Sequence, residues 1–411
     1  MKSLTLFTLL AVALLTSPLT AVIHQVRTGD NLQAKIDGAA DGDTVYIIEG
    51  IHAGDLVING KAIRLMAEDR TNHTLTGSIT VQNAPQGSKV ILKNLNIALG
   101  VTCTGSNFNI IRCVVEEEVS CPDTNDAGGN PLSLVVYQNE FKQKLTAKAA
   151  KSWIGYNTLR NVEITGVTHL VGNKIHGRNS MSIGVHIHGD DSRLSMYNNW
   201  IKEQGGSSSD LDMKEKAIGV LVDIGGVAKI INNNISSGSD SIPNNTQQFC
   251  CIGVYLKSFE SCDLISNAIS GGYLKGPSQS QPETCSFAVW APRENVNITN
   301  NHAANAKTLY GGGCVHFGSV AGGSKVDGGQ WLTKGFTVNA SGNVGYNKGP
   351  TDPVFNDHDG SRNDIGADGG RNYVVQGHLE DKAIPLWIDV DPIRVPKGGK
   401  ITLKSLGVVG E

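Results

Sequence analysis

The sequence is poor in the features that mark several common functions. No run of Lys or Arg breaks a near-neutral charge balance, formally −3 at pH 7 over 411 residues. The concentrated basic surface that nucleic-acid binding needs is therefore missing, and no such partner is expected. The eight cysteines include no C-x-x-C pair, which removes the usual zinc spacings and leaves a count that fits an oxidising compartment. Beyond the first residues, no apolar run approaches the roughly 18 residues that cross a bilayer as a helix, so no membrane span is expected. There are only 5 Met, whereas Gly reaches 49 beside abundant Asn, Ser, Val and Ile, a composition that favours strands and tight turns.

The opening stretch MKSLTLFTLLAVALLTSPLTA has one Lys, an apolar run from Leu4 to Leu15 and then small and polar residues. That is the layout of a secretory signal peptide. We expect residues 1–21 to be removed and the mature chain to be soluble and secreted, extracellular or periplasmic. Residues 22–370 are expected to form one domain, with 371–411 a terminal cap or small β appendage. A monomer is the expected state.

The organising feature is a repeat. SIGVHIH, AIGVLVD, CIGVYLK and SFAVWAP return the same pattern, with Gly184, Gly219, Gly253 and Ala288 in equivalent places and a degenerate copy, GCVHFGS, beginning at Gly313. In step with it, LSMYNNWI, AKIINNNI, CDLISNAI and VNITNNHA place Asn199, Asn233, Asn267 and Asn301 at a constant interval. VGNKI, GYNTL and YQNEF add shorter versions at Asn173, Asn157 and Asn139. Self-similarity at a fixed period marks a solenoid, and apolar residues alternating at period two with Gly and Asn at the corners make it a solenoid of strands. The recurring Asn has a structural role. Stacked at one turn of successive coils, its amide bonds to its neighbours and to turn backbone.

On these motifs the chain resembles the pectate-lyase-like superfamily of secreted right-handed parallel β-helices. NLQAKIDGAADGDTVYIIEGIH is similar to the superfamily's opening, an amphipathic capping helix followed by a GDTV turn and a first strand. DPVFNDHDGSRNDIGADGG is similar to a closing segment of secreted β-helix proteins. The resemblance implies an all-β fold, a right-handed parallel β-helix with an N-terminal capping helix. It leaves reaction open among polysaccharide lyases, hydrolases, epimerases and non-catalytic adhesins.

Alternate residues of a strand face opposite sides. With Ile183, Val185 and Ile187 inward, Gly184, His186 and His188 face outward. The same parity puts Leu221, Tyr255, Trp290 and His316 in the His186 column. His188, Asp223 and Lys257 form the next column, with Pro292 closing it. Aromatic rings in register suit the C–H faces of sugars, and the charged trio suits uronate binding or proton transfer. We therefore expect a polysaccharide-active protein, first a lyase on an acidic, uronate-containing glycan. His188, Asp223, Lys257 and Arg293 are its catalytic candidates. His186, Tyr255, Trp290, His316, Asp190, Asp191 and Lys214 are its substrate-binding candidates. The bland alternative for the charged column is opposite charges stabilising one another across exposed strands. A non-catalytic glycan-binding solenoid or adhesin, and a hydrolase pairing Asp190 or Asp191 with Asp223, stand beside the lyase. His186 and His188 would need a further distant ligand to hold a metal.

Asp357, Asp359 and Asp364 form part of a calcium-loop pattern, the one cofactor the sequence suggests; a turn braced by Asx bonds is the alternative. Cys250 and Cys285 share a repeat position, with disulfide and free thiols both open. Cys262 aligns with Ala228 and Val296 and reads as core. The polar stretches KEQGGSSSDLDMKEK, SSGSDSIPNNTQQF and GGYLKGPSQSQPET start from one corner of successive coils and should line one edge together.

Overall fold

The computed structural model describes residues 21–177, 183–202, 215–237, 239–241, 250–270, 273–275, 286–291, 296–299, 301–304, 314–317, 325–327, 330–332, 347–357, 359–370, 384–391 and 402–408. Residues 1–20 of the expected signal peptide, Lys214, Arg293 and Cys285 lie outside these residues. Of Cys250, Trp290 and His316 only the backbone is described.

Three sheets of 13, 11 and 12 strands take up the described chain from Ile23 to Leu332, and every pairing within them is parallel. Each coil contributes one strand to each sheet, so this is the parallel β-helix that the repeat implied. Inward residues stack in columns one strand apart. In the first sheet Leu92, Val136, Met196 and Leu264 belong to a single fully buried column. Burying each such side chain contributes about 1.5–3 kcal/mol. Cys262 sits between Ala228 and Val296 in the adjoining column, buried as expected.

At the amino-terminal end, the helix Leu32–Gly38 adds Leu32 and Ile36 to the core. Asn31 caps its first turn by accepting from Ala34 N at 2.9 Å. Lys61 Nζ donates to the terminal carbonyls of Ile36, Asp37 and Ala39 at 3.1, 2.9 and 3.0 Å, complementing the negative end of the helix.

The corner between the first and third sheets carries the asparagine ladder. Asn139, Asn157, Asn173, Asn199, Asn233, Asn267 and Asn301 are all buried. Each side-chain oxygen from Asn157 onward accepts both the backbone N–H and the amide of the Asn one coil earlier, at 2.8–3.0 Å. The sequence separations of these contacts are 18, 16, 26 and then 34 residues. Coil length therefore varies while the corner stays constant. The preceding residue adopts left-handed backbone, as at Gln138, Tyr156, Asn198, Asn232 and Ser266, with φ of 54–57°. This costs roughly 1–2 kcal/mol wherever the residue is not glycine. That conformation turns the chain sharply enough to aim the next side chain into the core.

Two expectations change. The strand kinks at the repeated glycine, so it does not keep strict parity. A Cβ on Gly219 would fall 2.7 Å from Ile235 Cγ2 in the core and 2.6 Å from the Gly253 carbonyl oxygen, so this glycine faces inward. Ile218 and Ile252 instead join Leu221 in a separate outer cluster, against which Ile183 and Tyr255 pack. Val185 and Ile187 face inward as expected. The closing motif also does not terminate the solenoid. Residues 347–370 lie along the corner of the middle coils, where Asn198 Nδ2 donates to the carbonyls of Ala367 and Gly369 at 2.7 and 2.6 Å. Asn232 Nδ2 donates to Asp364 O at 2.8 Å, and Gly366 N to Ser266 O at 2.8 Å. Beyond it, Ile384–Asp391 and Thr402–Val408 form an antiparallel pair of their own. The expected edge of grouped loops has one visible trace, the parallel pairing of Ser239–Ser241 with Tyr273–Lys275.

The ladder yields a stability test. Asn233→Ala strands the N–H of Asn199 and the carbonyl of Met196, so a loss of about 2–4 kcal/mol in denaturant unfolding is expected. Asn233→Asp should cost at least as much, because it keeps the acceptor but loses the amide donor and buries a charge. An Asp variant as stable as wild type would contradict the ladder.

Candidate active site

The strands Val162–Ile164, Ile183–Gly189, Glu215–Ile224 and Cys250–Ser258 lie side by side in the second sheet. Inward residues such as Val162, Ile164, Val185, Ile187, Val220 and Val254 anchor them, fixing which neighbours face solvent. One line of paired positions runs Thr146, Glu163, His186, Leu221, Tyr255, Trp290 and His316, and the described side chains from Glu163 to Tyr255 stand on the outer face. The backbone register of the expected aromatic column is thus correct. Its chemistry starts differently: Leu221 is 8% exposed and Tyr255 half-buried, both engaged in the outer apolar cluster.

The centre of the charged cluster is Glu163, which was not among the sequence candidates. Its carboxylate forms ion pairs with Lys144 Nζ and, at 3.4 Å, with Lys148 Nζ. Its Oε1 lies 3.0 Å from His188 Nε2. Partial burial opposes ionisation of Glu163, but the bonds from Lys144 and His188 and the charge of Lys148 outweigh it and hold the pKa at about 2. An ionised carboxylate only accepts, so His188 Nε2 carries the hydrogen. In the neutral ring Nδ1 is then the proton acceptor. The turn beyond the strand is fixed by Ser192 Oγ, which donates to His188 O at 2.6 Å and accepts from Gly166 N at 2.8 Å.

His186 stands with its ring centroid 4.7 Å from that of His188. Burial, aided by His188 and Lys257 and opposed by Glu163 and Asp223, pushes its pKa below the ordinary 6.5. Asp223 lies opposite His188 as expected. Lys257 does not lie opposite Asp223: the register slips there and places Ser258 in that position. The lysine nevertheless reaches Asp223 Oδ2 at 2.9 Å, so the trio is brought together by a bulged strand and not by a straight column. Asp190 and Asp191 are exposed at the turn following Gly189.

The three aspartates of the closing motif are bound to backbone. Asp357 carboxylate oxygens accept from Asp364 N and Gly370 N, Asp359 Oδ1 from Ser361 N at 2.9 Å, and Asp364 Oδ1 from Asn347 N at 2.6 Å. Burial is the main reason that the pKa values of Asp357 and Asp364 are raised. This is a braced turn, and among the described residues no group of three His, Cys, Asp or Glu side chains is placed to hold a metal.

No family model matches the sequence, and no curated protein matches it. Solved structures with a similar chain path include a mannuronic acid-specific family 6 polysaccharide lyase from human gut microbiota. It shares 10% identity at a TM-score of 0.31, over 70% of this chain and 82% of that one. A PL6 alginate lyase in complex with a trisaccharide shares 13% at 0.33, over 71% of this chain and 61% of the other. The PL6 lyase Pedsa3628 from Pseudopedobacter saltans shares 13% at 0.30, over 74% and 91%. The likeness is one of fold class.

Folding favours the ionised form of Glu163, since its pKa falls from the ordinary 4.5 to about 2. Its stabilising contribution is therefore complete above about pH 4.5 and disappears as pH falls towards 2. Glu163→Gln should flatten the acid limb of stability across that window, read by chemical denaturation at successive pH values. Parallel curves for the two proteins would show that the cluster does not hold the carboxylate.

Proposed function

We propose that the protein is a polysaccharide lyase of the pectate-lyase-like kind, acting on an acidic, uronate-containing glycan on the outer face of the second sheet. The observation that carries this reading is the Glu163–His188 pair set among Lys144, Lys148 and Lys257. In β-elimination, a base removes the proton beside the uronate carboxylate. The electron pair of that C–H bond becomes a carbon–carbon double bond while the glycosidic oxygen on the β-carbon departs with the electrons of its bond and takes a proton from solvent. Glu163 orients His188 so that Nδ1 takes the proton, as a carboxylate orients imidazole in other proton-transfer sites. The lysines neutralise the substrate carboxylate, on which negative charge builds in the transition state. His186, kept neutral by its surroundings, hydrogen-bonds a sugar hydroxyl beside the reacting centre, and Tyr255 offers a ring edge to the neighbouring sugar. Asp223 holds Lys257 in place.

The test is to incubate the purified protein with polygalacturonate and mannuronate-rich alginate and to follow the ultraviolet absorbance of unsaturated sugar ends. Absorbance should rise, and His188→Ala should slow the rise roughly a hundredfold or more. Glu163→Gln should lower kcat and leave KM nearly unchanged. New reducing ends without absorbance would mark a hydrolase. Neither product from any acidic glycan would leave a glycan-binding solenoid.

A further inference from the structure

A second group of side chains stands apart from this cluster, on the outer face of the third sheet. In the strands Thr158–Leu159, Lys174–His176 and Trp200–Lys202, the residues Leu159, Ile175 and Ile201 point into the core. Their neighbours on either side face outward. Lys174 lies opposite Thr158 on one side and Trp200 on the other, while His176 lies opposite Lys202. Arg160 follows Leu159 directly, which brings it one coil below His176. The next coil adds Asn234 and Ser236 above Trp200 and Lys202.

The result is a tile with one indole, three cations and an imidazole; above Trp200 it ends at Asn234, which is buried and accepts from Ala367 N at 3.3 Å. Trp200 is 43% exposed, the one aromatic among the large exposed apolar side chains of the described residues. Lys174 and Lys202 are exposed. Burial lowers the pKa of His176, and the charges that add to this effect, from Arg160, Lys202 and Lys174, are all positive. Among the described residues of the tile, an indole left largely in water stands beside charged side chains that are all positive. Successive coils offer contacts about 4.8 Å apart, a spacing comparable to the length of one pyranose ring.

We propose that this tile is a non-catalytic binding subsite for an acidic polysaccharide. The indole covers the C–H face of one sugar ring, and Lys174, Lys202 and Arg160 receive the carboxylate or sulfate groups of that sugar and its neighbours. The third sheet passes to the second through Arg160 and Asn161 alone in this coil, so the tile lies around one corner from Glu163. A glycan held here stays close to the second-sheet cluster. The subsite binds whether or not that cluster is catalytic.

The test measures binding by calorimetry in the His188→Ala protein, so that turnover cannot consume the ligand. Probes are polygalacturonate for carboxylates, heparin for sulfates, neutral dextran and a single-stranded oligonucleotide. At least one acidic glycan should bind while dextran does not. Trp200→Ala should weaken that binding roughly tenfold and Trp200→Phe much less. Lys174→Gln with Lys202→Gln should weaken it and reduce its dependence on salt. The side chains concerned are exposed, so thermal unfolding of the variants should match the parent. An acidic glycan bound equally by parent, Trp200→Ala and double-Gln proteins would overturn the proposal. So would the absence of binding to either acidic glycan, equal binding of dextran, or an oligonucleotide bound more tightly than either glycan.

Discussion

The buried amide at the corner between the first and third sheets is the constraint on which the rest of the molecule depends. Each ladder Asn satisfies the backbone N–H of the coil below and a carbonyl of that same layer, groups that would otherwise be buried without partners. Leaving such groups unmet costs more than making the bonds gains, so the corner position is enforced and not merely favoured. Once every coil must return to this point, strands on all three faces fall into parallel register. Variation is pushed elsewhere, into the passage from the third sheet to the second, where the chain lengthens from a two-residue link to long polar loops.

The enforced register explains how charged groups distant in sequence meet. Glu163 and His188 are 25 residues apart, and Lys257 and Asp223 are 34 apart, yet each pair is in contact because its members sit on neighbouring coils. A carboxylate with its pKa held at about 2 by two lysines and a histidine fixes the histidine's tautomer and gathers two cations beside it. That combination suits an anionic ligand. The same stacking builds the tile of Trp200 and its cations from residues that individually look like ordinary surface.

The strap formed by residues 347–370 uses the corner in another way. In the middle coils the left-handed residue before the ladder is itself Asn, at positions 198 and 232, and its side chain points out to hold the strap's carbonyls. In earlier coils the equivalent positions are Gln138 and Tyr156, which bond Arg112 or pack against Tyr137 and Trp153. The paired Asn-Asn of YNNW and INNN therefore encodes two functions, one inward and one outward.

The sequence by itself determined the solenoid, the ladder and the column that joins His186, Tyr255, Trp290 and His316. Those features rest on local periodicity: period-two burial and a fixed Asn spacing survive without knowledge of the third dimension. It placed Asp223 opposite His188 for the same reason. Three things only the tertiary structure decided. The inward kink at Gly219 broke simple parity, because the core at Ile235 admits no side chain there. The bulge beside Asp223 slid Lys257 out of the column while its long chain still reached the carboxylate. Glu163 stayed hidden because its coil is short and its strand, Val162–Ile164, lacks the Gly-Val of the repeat, so only strand pairing sets it opposite His186. Period is a local property of the chain, whereas which charges share a face depends on the length of every intervening loop.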